Sequence, residues 1–136
     1  MVVRVAVAAD IPRIFDLVCR LREAVDGPAV PDQEAVSESL LILIASPTGL
    51  VLVSDGGFIA GNIAPTILTK ERFAFELGWF ATDGNGLRLL RGFEQWADSH
   101  NARVRLSTAS WDQIPVALCK VLLRRGYRPF ETAWVN

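Results

Sequence analysis

The sequence predicts an α+β domain built on a mixed, mostly antiparallel central sheet of about six to seven strands, flanked by about four helices. Three observations carry that prediction. The length, 136 residues, is that of one domain. Apolar residues alternate or recur at helical spacing in the order β-α-α-β-β-β-α-β-α-β. Neighbouring strand patterns are joined by Asp55-Gly56-Gly57, a strong hairpin signal. No repeat, linker or low-complexity segment divides the chain, so residues 1–136 read as a single domain.

The elements follow in order. Val3, Val5 and Val7 alternate with Arg4, Ala6 and Ala8, which predicts a first strand. Asp10 is placed to cap the next helix, and Pro12 is tolerated in its first turn. Ile11, Ile14, Phe15, Val18, Leu21 and Val25 hold helical spacing until Gly27-Pro28 stops it. Asp32 can cap a second helix with Val36, Leu40, Leu43 and Ile44 on one stripe. Residues 50–54 and 58–64 are the hairpin strands.

Residues 73–80 form the most informative strand. Phe73, Phe75, Leu77 and Trp79 point to one face, and Ala74, Glu76, Gly78 and Phe80 to the other. A short glycine-containing loop, 82–86, runs directly into a helix with Leu87, Leu89, Leu90, Phe93, Trp96 and Ala97 at core spacing. Val104 and Leu106 mark another strand. Asp112 is placed to cap a last helix through Leu118, Val121 and Leu122, ended by Gly126. Residues 130–135 predict a closing strand, placed to pair across a homodimer.

Composition narrows the class. Hydrophobic residues make up 51% and charged residues 21%, which excludes intrinsic disorder. The net charge of −1 argues against non-specific nucleic-acid binding, which needs a basic surplus. Cys19 and Cys119 have no CxxC or His neighbour, so no metal site is expected. Both thiols fall in apolar helical patterns and fit a reducing, cytoplasmic setting. No signal peptide is expected. The most apolar stretch, 40–53, is broken by Pro47 and Gly49 and is shorter than the ~20 residues a bilayer requires, so no membrane association is expected.

The strand–glycine loop–helix unit has a chemical reading. The first N–H groups of a helix lack internal partners, and the helix dipole places partial positive charge there. Gly84-Asn85-Gly86 lets the backbone come close to an anion, so the unit can hold a phosphate or pyrophosphate. It is not a P-loop, because no Gly-Lys-Ser/Thr follows. It is not a dinucleotide fingerprint either, because no third glycine is correctly placed.

Taken together the chain resembles the GNAT superfamily of acyl-CoA-dependent N-acyltransferases over nearly its full length. Val3-Arg4-Val5-Ala6 followed by Asp10-Ile11-Pro12-Arg13-Ile14 resembles the family's opening strand and helix. Glu76-Leu77-Gly78-Trp79-Phe80, then Gly84-Asn85-Gly86-Leu87-Arg88-Leu89-Leu90, resembles its fourth strand and pyrophosphate loop. Leu122-Leu123-Arg124-Arg125-Gly126-Tyr127, then Glu131, resembles its last helix end and final strand.

The resemblance implies acetyl-CoA as co-substrate and a primary amine as acceptor. Main-chain groups of Trp79, Phe80 and Ala81 would pair with pantetheine. Gly84, Asn85, Gly86 and Leu87 would face the pyrophosphate, with Arg88 the nearest basic side chain. The amine would attack directly in a gap between splayed strands, near Phe80 and the strand starting at Val104. There are departures. The family's loop usually begins with Gln or Arg where Ala81 stands. An Asn often found early in the last helix aligns with Pro115, and a Tyr that often protonates the leaving thiolate aligns with Leu122. These departures support an alternative reading, a non-catalytic module binding CoA or a protein partner.

Glu76 is the candidate general base for the amine. Its competing reading is a surface carboxylate paired with Arg103 or Arg105. Asp83 would oppose phosphate unless it turns away to cap the helix. Arg91, Lys120, Arg124 and Arg125 could reach phosphates or simply solvate helix faces. His100 is the only histidine and sits at a helix end, with no nucleophile motif nearby. Tyr127 reads as a packing residue. The four tryptophans, Trp79, Trp96, Trp111 and Trp134, read as core or cleft wall, with Trp111 placed to cover a ligand.

Overall fold

The computed structural model describes residues 2–109 and 113–136. One five-stranded sheet runs β1 (Arg4–Val5), β2 (Gly49–Ser54), β3 (Gly57–Thr66), β4 (Thr69–Ala81), β5 (Arg103–Arg105), in that spatial order. The first four strands are mutually antiparallel, and β5 lies parallel to β4. The helices are α1 (Ile11–Val25), α2 (Gln33–Ala45), α3 (Gly86–Ser99) and α4 (Val116–Arg124).

The sheet separates two cores. On one face Ile11, Ile14 and Leu17 of α1 and Leu40 of α2 pack on Val51, Val53, Phe58 and Ala60. On the other, Leu89, Leu90, Phe93 and Ala97 of α3 pack on Leu52, Ile59, Ile63 and Ala74, with Leu122 of α4 against them. Phe93, Leu89 and Leu90 are sealed from water. Each such side chain contributes about 1.5–3 kcal/mol through burial.

Two local expectations are corrected. The strand expected from Val3 to Val7 shortens to Arg4–Val5, because Ala8–Asp10 forms a 3-10 turn. Asp10 does not cap α1. Its carboxylate accepts from the Val7 N–H at 2.8 Å and from both Nη atoms of Arg4 at 2.7 and 2.8 Å. The Arg4 hydrogen bond, then that of Val7, lowers its pKa to about 2. Asp32 does cap α2, accepting from Ala35 N–H at 2.9 Å. The N-cap position of α4 is Pro115; Asp112, expected there, and Trp111 lie outside the described residues.

The closing strand is the largest correction. Residues 130–135 form no strand, so the sheet has five strands among the described residues rather than six or seven. The neighbour they would pair with, β5, is only three residues long. Among the described residues, Arg105 holds the segment instead. Arg105 pairs with Glu131, and its guanidinium lies over the rings of Phe75 and Phe130 at 5.3 and 5.1 Å. Trp134, expected in a core or cleft wall, is 92% exposed.

A β-bulge interrupts β4. Ala60 faces Gly78 but Gly61 faces Glu76, so Leu77 is an extra residue and stands 60% exposed. The bulge reverses the expected alternation. Trp79 and Ala81 fall on the α3 face with Ala74, while Phe80 joins the opposite core. Gly61 makes the close approach possible: a Cβ there would lie 2.4 Å from Phe75 O and 2.5 Å from Cε2 of Phe93.

Candidate active site

β4 and β5 pair only from Phe73↔Arg103 to Phe75↔Arg105. β5 then stops and β4 runs on to Ala81, so the two strands part at Glu76. Beyond that point β4 is paired with β3 on one edge, and no strand among the described residues pairs with the other. The main-chain N–H and C=O groups of Trp79, Phe80 and Ala81 thus lie on a strand with one open edge.

Glu76 sits at the fork. It is 8% exposed, and its Oε1 accepts from the Ser107 N–H at 2.8 Å, just past the end of β5. Burial raises its pKa to about 7, against a smaller lowering by the Ser107 hydrogen bond. The surface-pair reading fails. Arg103 lies 3.5 Å from Glu71, and Arg105 pairs with Glu131. A carboxyl that ionises near neutrality at a strand fork can accept a proton there at physiological pH.

The loop at the end of β4 is shaped by Asp83. Its carboxylate accepts from Ser54 Oγ at 2.8 Å, Gly56 N–H at 2.7 Å and Asn85 N–H at 3.1 Å. Partial burial pushes this carboxyl up, but those hydrogen bonds outweigh it and hold the group well below the usual carboxylate range. Asp83 therefore points at the β2–β3 turn and anchors the loop to it. Gly84 turns the chain with φ +78, a left-handed conformation suited to glycine. Asn85 is the N-cap of α3, and no side chain caps the helix start. The N–H groups of Gly86, Leu87 and Arg88 have no intrahelical acceptor. The Asn85 N–H is already engaged by Asp83.

The other expected residues are placed as follows. Trp79 donates its indole N–H to Gly86 O at 3.0 Å, tying β4 to the first turn of α3. The Phe80 side chain is on the far face, so only its main chain is near the fork. Arg88 Nη1 lies 3.5 Å from Asn85 Oδ1. Arg88 and Arg91 also line an open groove of about 710 Å³ between β1, β2 and α3, floored by Val3, Leu50 and Leu52, which does not include Glu76. His100 packs edge-on to Trp96 at 5.4 Å.

Sequence reasoning missed two features. Ser107 acts through its main-chain N–H, which no side-chain pattern reveals. Glu94 of α3 gathers the end of α4. It pairs with Arg125 and accepts from the Tyr127 hydroxyl at 2.8 Å. Burial, then the bond to Glu94, pushes the Tyr127 hydroxyl pKa up, which suits a structural clasp.

No protein-family model and no curated protein matches the chain. Solved structures do. An aminoglycoside 6'-N-acetyltransferase from Acinetobacter haemolyticus is 17% identical with TM-score 0.70, covering 100% of this chain and 97% of that one. A predicted acetyltransferase from Clostridium acetobutylicum, solved with acetyl-CoA, is 16% identical with TM-score 0.70, covering 98% and 94%. A GNAT family acetyltransferase from Staphylococcus aureus is 14% identical with TM-score 0.63, covering 100% and 98%. The bulged β4, the fork at Glu76 and the glycine loop opening α3 are thus set in a chain that has the fold of the GNAT acetyltransferases.

Proposed function

We propose that the chain is an N-acetyltransferase that moves an acetyl group from acetyl-CoA to a primary amine, with Glu76 as general base. The observation that carries this reading is the buried Glu76 carboxyl, with its pKa near 7, at the fork between β4 and β5. Acetyl-CoA bound there would supply the activated acyl group. The residues present fit such a ligand. The open edge of β4 at Trp79, Phe80 and Ala81 offers main-chain partners to an extended arm. Gly84, Gly86 and Leu87, with Arg88, offer N–H groups and positive charge to phosphates, and Asp83 is turned away from them.

Glu76 Oε1 is held by Ser107, and no donor among the described residues reaches Oε2. Oε2 is therefore the oxygen that takes the proton from the acceptor ammonium, directly or through water. The amine becomes a nucleophile only after that loss. Holding both reactants at the fork supplies the rest of the rate through orientation.

One observation favours a second reading, the non-catalytic module. Leu122 packs against the α3 core where a hydroxyl acid would stand in the family pattern. The test is thiol release from acetyl-CoA over a panel of amines. The first reading expects saturable release with at least one amine. Release no faster than background across the panel, with acetyl-CoA bound, would leave the module.

A further inference from the structure

The β3–β4 hairpin ends in a turn that breaks the usual turn chemistry. Its two central residues are Ile67 and Leu68, flanked by the Thr66↔Thr69 pair. Turns of this kind normally carry Gly, Asn, Asp, Pro or Ser. Here both side chains are large and aliphatic, 103% and 88% exposed. Nothing in the backbone requires them, since neither residue has a positive φ. The threonines hold the turn. Thr66 Oγ1 accepts from the Leu68 N–H at 3.2 Å, and Thr69 Oγ1 accepts from the Glu71 N–H at 3.1 Å. The hairpin also projects: the pairing of β2 with β3 ends at Gly49↔Asn62, well short of Thr66. Local rules broken without a structural gain mark a functional surface.

The charge around the tip selects the partner. Lys70 and Arg72 follow it on β4, and Arg103 begins the adjacent β5, all exposed. The carboxylate among residues 69–73, Glu71, is partnered by Arg103. We propose that the tip is a peripheral membrane contact, with Ile67 and Leu68 entering the acyl boundary of an anionic lipid surface and Lys70 and Arg72 resting on its headgroups. No described helix is long and apolar enough to cross a membrane, and this mode needs none. The tip lies roughly 20–25 Å along β4 from Glu76. Docking there leaves the fork free, and the inference does not rest on the catalytic reading.

The experiment is co-sedimentation with vesicles of phosphatidylcholine containing phosphatidylglycerol, against vesicles of phosphatidylcholine alone. The full chain should pellet with the anionic vesicles and be released by salt. The double variant Ile67→Ser, Leu68→Ser should lower the bound fraction at least about tenfold with an unchanged urea midpoint, because these side chains are exposed and the threonines keep the turn. Lys70→Gln with Arg72→Gln should weaken binding and flatten its salt dependence. No pelleting with anionic vesicles, or equal pelleting of the serine variant, overturns the proposal. So does a concentration-dependent dimer, seen without lipid and abolished by the serine variant, which would make a second copy the occupant.

Discussion

Replacing Glu76 with Gln is expected to lower kcat/KM for acetyl transfer by about 10²–10⁴-fold, the usual weight of a general base. Gln keeps an oxygen for the Ser107 N–H, so the fork stays closed at that point. The loss should fall on kcat, with little change in the affinity for acetyl-CoA. The wild-type rate should rise as pH passes through about 7, where Glu76 ionises, and the variant should lack that limb. Stability gives an independent readout. The folded pKa of Glu76 is raised from 4.5 to about 7, so the folded chain holds a proton that the unfolded chain has released. That contribution is complete below about pH 4.5 and is lost as pH rises through about 7. Above it the buried carboxylate costs up to about 3 kcal/mol. Glu76→Gln should therefore stabilise the protein at pH 8 and change it little at pH 4 to 5, measured by urea unfolding. A merely structural carboxyl would show the stability effect without the rate limb.

Gly61→Ala is expected to destabilise the fold by about 3 kcal/mol or more, at the upper end for overpacking. The added methyl would meet a backbone oxygen, Phe75 O, and the ring of Phe93, which is fully buried under α3. Neither can yield without moving β4 or the helix. Because Gly61 faces Glu76 across the bulge, the same change should disturb the fork and lower activity in the fraction that folds. Urea unfolding with a circular-dichroism signal measures the first effect. An unchanged midpoint would mean that the approach of β3 to β4 and α3 is looser than described.

What the sequence revealed is mostly local. Asp32 was legible because an N-cap is a contact three residues long, and the Ala35 N–H confirms it. The buried face of α3 followed from Leu89, Leu90, Phe93 and Ala97 at helical spacing. The glycine loop was legible as the opening of a helix. What failed depended on partners far along the chain. Alternation in residues 73–80 was read as unbroken, because a bulge is set by the opposing strand, here by Gly61 under Phe93. Asp10 looked like a cap, but Arg4 and Val7 claimed its carboxylate. Asp83 was expected to cap α3, and it does reach Asn85, yet its shortest hydrogen bonds run to Ser54 and Gly56 on the hairpin. Residues 130–135 have a strand's composition without a neighbour long enough to pair with. Glu76 was legible as a candidate, but its burial and its bond to Ser107 required the fork.

The measurement that bears most directly on the account is thermal unfolding of the full chain across a wide range of acetyl-CoA concentrations. Ligand at about 100 times its Kd should stabilise the native state by about 2.7 kcal/mol, a rise in Tm of several degrees. The account predicts a saturable rise with acetyl-CoA, matched by CoA, because the open edge of β4 and the uncapped start of α3 do not contact the acetyl group. No rise with either ligand at millimolar concentration would contradict it, and would mean that the fork at Glu76 and the loop at Gly84 serve a different ligand or none.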